Sequence, residues 1–168
     1  IDWKTLVFLG AIFCLVQGVT RTGMLQGLAL KLQGWFGTDL TIVALVFLGG
    51  IGILSGLLAN IPLVAASLLM TKGYLVATEL APETALAAGF TGWPAAVIPV
   101  FIAMMFGATL GGNATLIGAS ANVAGAGICA AHGKRVSFAR FARYGVPITF
   151  CQLIMAMLYV LALFRFSG

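Results

Sequence analysis

The chain has 168 residues, of which 61% are hydrophobic and 8% are charged, and its mean hydropathy is +1.11. An average soluble domain carries about 25% charged residues, and a body this small exposes too much of its surface to hide so many apolar side chains. A water-soluble globule is therefore excluded. The sequence predicts an all-α integral membrane protein, a helix bundle in a lipid bilayer.

The few charges are predominantly basic: nine Lys and Arg against four Asp and Glu give a net charge of +5. Most of them lie between apolar runs and form no stripe with interleaved aromatic residues, so no nucleic-acid partner is expected. The cysteines at 14, 129 and 151 lie in apolar segments at unrelated spacings. They are interpreted as small hydrophobic residues, and no metal set is predicted.

The first 38 residues predict two helices. Residues 1–20 predict a first span, with Trp3 as an interfacial anchor. Residues 21–38 predict an interfacial helix, because leucines recur at helical spacing opposite Gln26, Lys31 and Gln33. The chain begins Ile-Asp-Trp-Lys at a membrane boundary, so we expect it to be a fragment of a larger protein.

Residues 41–72 predict a re-entrant helical hairpin. The run is longer than one crossing needs and too short for two crossings with a loop. Pro62 removes a backbone donor and pushes Ile61 out of the helical region, which places the turn at residues 60–62. The alternative is a full crossing from Thr41 to Ala59, followed by a second, shorter helix.

Residues 72–92 predict a polar loop with a short helix at most. Residues 93–132 predict a broken span, with Pro94 in its first turn and an interruption from Gly111 to Asn122. Adjacent glycines end the helix there, and the freed backbone groups must face protein or water. Residues 146–165 predict the last span, with Pro147 in its first turn.

One short loop carries four of the nine basic residues, at positions 134, 135, 140 and 143. The positive-inside rule therefore places this loop in the cytoplasm. It follows that the chain begins inside, that the loop with Glu79 and Glu83 lies outside, and that the chain ends outside.

The residues argue against an enzyme. All four carboxylates lie at membrane boundaries or in loops, and His132 is interpreted as a helix cap. Ser55, Ser67 and Ser120 have no nearby His in the sequence to activate them. No catalytic residue and no cofactor is therefore predicted.

Two polar, helix-breaking elements remain: the hairpin tip at Asn60 and the interruption at Gly111–Asn122. Unwound carbonyls with Asn, Thr and Ser side chains suit a dehydrated cation such as Na⁺, and the N-terminus of a half-helix favours an anion. The GxxxG patterns at Gly52–Gly56 and Gly107–Gly111 are interpreted as helix-packing contacts.

The residues from Gly111 to Asn122 read GGNATLIGASAN, followed by SFARFARYGVP from Ser137, while Leu58 to Ala65 read LANIPLVA. These segments resemble the signature, its continuation and the hairpin tip of the ion transporter superfamily. The branch is the one that holds arsenite permeases, P protein permeases and citrate transporter-like proteins, including divalent anion:Na⁺ symporters. The resemblance covers nearly the whole chain.

The resemblance implies a secondary transporter of two inverted repeats, each with a re-entrant hairpin and a broken helix, that is usually dimeric. The chain corresponds to the C-terminal part, so its expected partners are the N-terminal repeat and a second copy. Ala59 stands where many relatives have Asp, which argues against proton coupling in this half. The residues that match the family's substrate and ion site are Asn60, Pro62, Gly112, Asn113, Thr115, Gly118, Ser120 and Asn122.

The sequence thus predicts a permease of the inner (plasma) membrane that transports a small inorganic or organic anion and is coupled to a cation. Na⁺ is the candidate coupling ion, bound at the same residues. An Na⁺/H⁺ antiporter is one alternative, and a truncated membrane protein that transports nothing is another.

Overall fold

The computed structural model describes residues 3–58, 60–87 and 89–167, and all regular structure in these ranges is helical. There are seven α-helices in the described ranges, with short 3₁₀ turns at Glu83–Leu86, Ala95–Val97 and Gly112–Ala114. The α-helices are α1 (Trp3–Arg21), α2 (Met24–Phe36), α3 (Leu40–Ser55), α4 (Asn60–Ala77), α5 (Ile98–Gly111), α6 (Ser120–Ala131) and α7 (Phe138–Ser167). The prediction of an all-helical membrane bundle is confirmed.

Several of these helices are long and apolar enough to cross a bilayer. They include α4, the stretch Ala95–Ala114 that contains α5, and most of α7. The helices α3 and α6 are apolar but shorter. The depth of each helix in the membrane, including the predicted re-entrant course of the hairpin, stays a prediction.

The core forms where α3, α5 and α7 pack together. Val43, Ala44 and Leu48 of α3 are completely buried, as are Val100 and Ala103 of α5. The helix α7 adds Ala156 and Val160 to this core. Because α3 is apolar on nearly every side, it can occupy the centre of the bundle.

The helix α2 packs against the hairpin arm α4. Gly23 lies between α1 and α2 and has a positive φ of 74°, so the backbone turns there and α2 begins as a separate helix. Ala29 of α2 lies against Gly73 of α4. Gln33, which the sequence pattern places on the polar face of α2, donates its amide to the carbonyl oxygen of Ala77 at 2.6 Å. This polar residue therefore anchors α2 to α4.

A helical hairpin is present, but its boundaries differ from the prediction. The helix α3 ends at Ser55 and α4 begins at Asn60, so Pro62 lies in the first turn of α4, where a proline costs little. The turn precedes Asn60 and is not centred on residues 60–62. The second arm continues to Ala77, so the predicted start of the loop at residue 72 was also wrong.

The prolines that the sequence places in the first turn of a later helix, Pro94 and Pro147, also lie elsewhere than predicted. Pro94 precedes a 3₁₀ turn in extended backbone, and Pro99 occupies the first turn of α5. Pro147 lies inside α7, which runs unbroken for 30 residues from Phe138. The predicted last span is therefore one part of a longer helix, which also contains Arg140 and Arg143 of the predicted basic loop.

Candidate substrate and ion site

The interruption predicted between Gly111 and Asn122 is a real gap between two helices. The helix α5 ends at Gly111, a 3₁₀ turn follows, and the backbone is extended at Thr115 and Ala119 before α6 begins at Ser120. We call residues 112–119 the break segment. Ser120 and Asn122 lie just beyond it, in the first turn of α6.

Asn122 closes the break segment onto itself. Its Nδ2 donates to the carbonyl oxygen of Gly112 at 3.0 Å and to that of Thr115 at 2.9 Å. Gly112 lies in the 3₁₀ turn and Thr115 lies in extended backbone beyond it, and in an apolar setting an unpaired carbonyl group is costly. The Asn122 side chain therefore stabilises the non-helical backbone, and its Oδ1 makes none of the described hydrogen bonds.

Thr115 fastens the break segment to the end of α3. Its buried hydroxyl donates to the carbonyl oxygen of Gly56, and Oγ1 of Thr115 accepts the backbone N–H of Gly118 at 3.1 Å. We call Gly56, Gly112, Thr115, Gly118 and Asn122 the break network. The prediction assigned four of these residues to the site and missed Gly56.

Two glycines of the break network, Gly112 and Gly118, lie in close contact with neighbouring backbone carbonyls. A Cβ added at Gly118 would lie 2.5 Å from the carbonyl oxygen of Gly112 and 2.9 Å from that of Ser55. A Cβ at Gly112 would lie 3.0 Å from the carbonyl oxygen of Gly118. A larger residue at position 118 would push these backbones apart, so this position needs glycine, whereas a Cβ at position 112 would be a tight contact.

The helices α3 and α5 approach each other closely in the same region. A Cβ at Gly107 would lie 2.6 Å from the carbonyl oxygen of Leu48, and one at Gly111 would overlap the carbonyl of Gly52. The interpretation of the GxxxG patterns as packing contacts is confirmed. Ser55, fully buried between these helices, donates its hydroxyl to the carbonyl oxygen of Ala108.

Asn60 and Pro62 lie at the start of α4, and no described hydrogen bond joins either to the break segment. The Oδ1 atom of Asn60 is buried without a hydrogen-bond partner, which leaves an oxygen for a ligand. Ala59, the position where many relatives have Asp, lies outside the described residues. The hairpin residues that contact the break segment are Ser55 and Gly56, which precede the predicted tip.

Asn113 and Ser120 do not join the break network. Both are exposed, and Asn113 donates its amide to Oε1 of Gln152 on α7 at 3.3 Å. Two residues of α7 contact this region, Gly145 and Gln152, and a third, Thr149, lines a pocket with Ala114 and Thr115. The prediction missed Gly145, Gln152 and Thr149. Polar residues within an otherwise apolar helix are the signal that could have identified the last two.

In the described ranges, no cluster of three or more His, Cys, Asp or Glu residues could hold a metal ion. The described carboxylates lie away from the break network, and Asp39 caps α3 by accepting the N–H groups of Thr41 and Ile42. The oxygens near the break segment are carbonyls, hydroxyls and amides.

A search among known proteins gives the family. Residues 1–92 match the family model CitMHS, described as citrate transporter. The chain belongs to the citrate transporter family. The match covers the first two helices and the hairpin, and the break segment lies beyond it. The resemblance to the ion transporter superfamily branch is thereby confirmed.

The relatives match nearly the whole chain. An uncharacterized transporter of Synechocystis is 45% identical over 161 residues, which are 95% of this chain and 36% of the relative. An uncharacterized transporter of Mycobacterium tuberculosis is 34% identical over 160 residues, covering 95% of this chain and 34% of the relative. The human P protein is 34% identical over 166 residues, covering 96% of this chain and 18% of that protein.

The chain thus spans about a third of the length of the two bacterial transporters and less than a fifth of the human P protein. No solved structure matches it. Together with the apolar helices, the family indicates a multi-pass membrane protein of a transporter family.

Proposed function

We propose that this chain is half of the transport site of a secondary active transporter, which moves a small inorganic or organic anion together with a cation. The observation that supports the proposal most directly is the break network. It joins an interrupted helix to the end of the hairpin arm α3 through the Thr115 hydroxyl and the Gly56 carbonyl. Two interrupted elements that meet in a membrane form the usual binding region of secondary transporters.

The free groups around the break segment suit both a cation and an anion. The Oδ1 atoms of Asn60 and Asn122 are uncharged oxygens, which are ligands of the kind that Na⁺ takes. The N-terminus of α6 carries no side-chain cap, and the N–H of Asn122 donates to the carbonyl oxygen of Ala119. The N–H groups of Ser120 and Ala121 and the partial positive charge of the helix end are available to an anion. The family name supports an anion, since citrate is a small organic anion.

The remaining partners follow from the family. We propose that an N-terminal repeat completes the site, that two copies form a homodimer, and that the protein lies in the plasma membrane with the basic loop inside. The lengths of the bacterial transporters are compatible with a preceding repeat.

Two alternatives are weaker. An Na⁺/H⁺ antiporter needs a titratable group at depth, and the break network contains only glycine, threonine and asparagine. A truncated protein that transports nothing would have a stop codon and a start site next to Ile1 in the DNA. An in-frame continuation upstream that encodes about six further spans would support transport instead.

Uptake by the full-length protein in proteoliposomes tests the proposal. Labelled citrate, sulfate, arsenite and chloride are compared with and without an Na⁺ gradient. We expect saturable, gradient-dependent uptake of at least one anion and a large loss of uptake in Asn113→Ala, with membrane insertion unchanged. No uptake of any of these anions by well-folded protein would contradict the proposal.

A further inference from the structure

Gln152 is a polar residue in the apolar part of α7. It lies half-buried among residues such as Leu153, Met155 and Ala156, in a helix that is long and apolar enough to span the bilayer. An amide placed among lipid tails loses its hydrogen bonds to water, so such residues face protein or a water-filled space and serve a function by default.

The backbone of α7 lies directly against the break segment beside this amide. Gly145 precedes Gln152 by seven residues and therefore lies on the same helix face. A Cβ at Gly145 would lie 2.6 Å from the carbonyl oxygen of Ala114 and 2.7 Å from that of Asn113. This contact holds Gln152 within hydrogen-bonding distance of Asn113.

The hydrogen bond uses one end of the Gln152 amide and leaves the other free. Oε1 of Gln152 accepts the amide of Asn113 at 3.3 Å, and Nε2 makes no hydrogen bond with the described residues. Gln152 lines an open groove of about 630 Å³ between α5 and α7. The volume lies in the range of small-molecule sites, about 300 to 1,000 Å³.

The groove offers hydrogen-bond donors and no charge. Its lining is apolar except for three side chains that carry polar groups, those of Gln152, Tyr159 and Cys151. A hard cation takes several oxygen ligands, whereas the side chains that line the groove supply only the amide oxygen of Gln152 and the hydroxyl of Tyr159. An N–H₂ group suits an oxygen that carries negative charge, and this bond is stronger where water is excluded.

We propose that Gln152 binds an oxygen of the transported anion through Nε2, while Asn113 holds its Oε1 and so fixes the orientation of the amide. The proposal rests on the proposed function, because it names a further residue of the same anion site. It extends that site from the break segment to α7.

The first test separates binding from structural support. In the full-length protein, Gln152→Glu retains an oxygen for the Asn113 amide, but it removes the free donor and adds a negative charge. We expect the KM for the transported anion to rise about tenfold or more, with abundance and Vmax near wild type. Gln152→Leu, which removes both interactions, should raise the KM as well, whereas Met155→Leu in the same groove should not. A wild-type KM in Gln152→Glu would overturn the proposal.

The second test does not depend on transport. Cys151 is exposed and lies in the same groove, so its alkylation rate, measured by mass spectrometry of its peptide, reports occupancy. We expect citrate or sulfate to slow the alkylation of Cys151 in the wild type and not in Gln152→Leu. If the anions are transported but slow the alkylation of Cys151 in neither protein, or equally in both, the proposed Gln152 site is wrong and the proposed transport function is not contradicted.

Protection that Gln152→Leu abolishes, without uptake of any anion, would support the binding site and contradict the proposed function. If the anions are not transported and do not slow the alkylation of Cys151, the proposed transport function and the proposed Gln152 site are both contradicted.

Discussion

The two halves of the interrupted helix lie in very different surroundings. The helix α5 buries seven of its residues against the other helices, including Gly107, Ala108 and Gly111. The helix α6 buries none. One half is thus part of the core of the described chain, and the other half stands apart from it although the two are joined by only eight residues.

Small residues are common in both halves, so composition alone does not distinguish them. Gly107 and Gly111 touch the backbone of α3, whereas Gly125 and Gly127 of α6 have nothing within 4 Å of an added Cβ. A glycine matters for packing only where a neighbour occupies the space of its side chain. The comparison between α5 and α6 can therefore be tested by the same substitution in each half.

The largest effect is expected from Gly111→Ala, with Gly125→Ala as its matched control. The new methyl group at Gly111 would overlap the carbonyl of Gly52, and over-packing of this kind costs about 3 kcal/mol. Gly125→Ala should change stability by less than about 0.5 kcal/mol. Thermal unfolding of the purified full-length protein measures both. Equal losses in the two variants would show that α6 is packed as tightly as α5.

A smaller effect is expected from Asn122→Ala, with Asn113→Ala as its control. Asn122 satisfies two carbonyls of the break segment, so its loss should cost about 2 to 3 kcal/mol and reduce uptake at the same time. Asn113 is exposed, and its removal should reduce uptake with little change in stability. Unfolding and uptake measured on the same preparations test the difference. An unchanged melting temperature in Asn122→Ala would contradict the structural role assigned to it.

The smallest effect is expected from Thr115→Val, compared with Thr115→Ser. Valine keeps the shape of the side chain but removes the hydroxyl that joins Gly56 to Gly118, a loss of about 1 to 2 kcal/mol. Serine keeps the hydroxyl and should recover most of the stability. If valine and serine unfold at the same temperature, the link between the break segment and α3 does not contribute to stability.

The sequence predicts those parts of the fold that depend on the local chain. Gly111 and Gly112, followed by the polar residues Asn113 and Thr115, indicate where α5 ends. Adjacent glycines alone do not, since Gly49 and Gly50 lie inside α3. The presence of a hairpin near Pro62 follows from the length of the apolar run. The turn was predicted at residues 60–62, a few positions too far along the chain. A proline can lie either in a turn or in the first turn of a helix, and the sequence does not distinguish these two positions.

The missed residues depend on neighbours that are distant in the sequence. Gly56 belongs to the break network only because Thr115 reaches it across 59 positions, and Gln152 lies beside the break segment because Gly145 packs against it and Asn113 donates to its amide oxygen. The continuity of α7 was missed because Pro147 suggests a helix start, whereas the structure accepts it inside the helix. The assignment of the predicted residues to an anion or ion site stays a prediction.

The length of α7 gives a scale for depth in the membrane. From Arg143 to Arg165 the helix rises about 33 Å, which is close to the hydrocarbon thickness of about 30 Å. If these arginines mark the two headgroup layers, Gly145 lies about 3 Å and Gln152 about 14 Å inside the layer of Arg143. The break segment would then occupy the leaflet next to the basic loop. An anion coming from that side would be attracted by the exposed basic residues and would cross less than half of the hydrocarbon to reach Asn113 and Gln152.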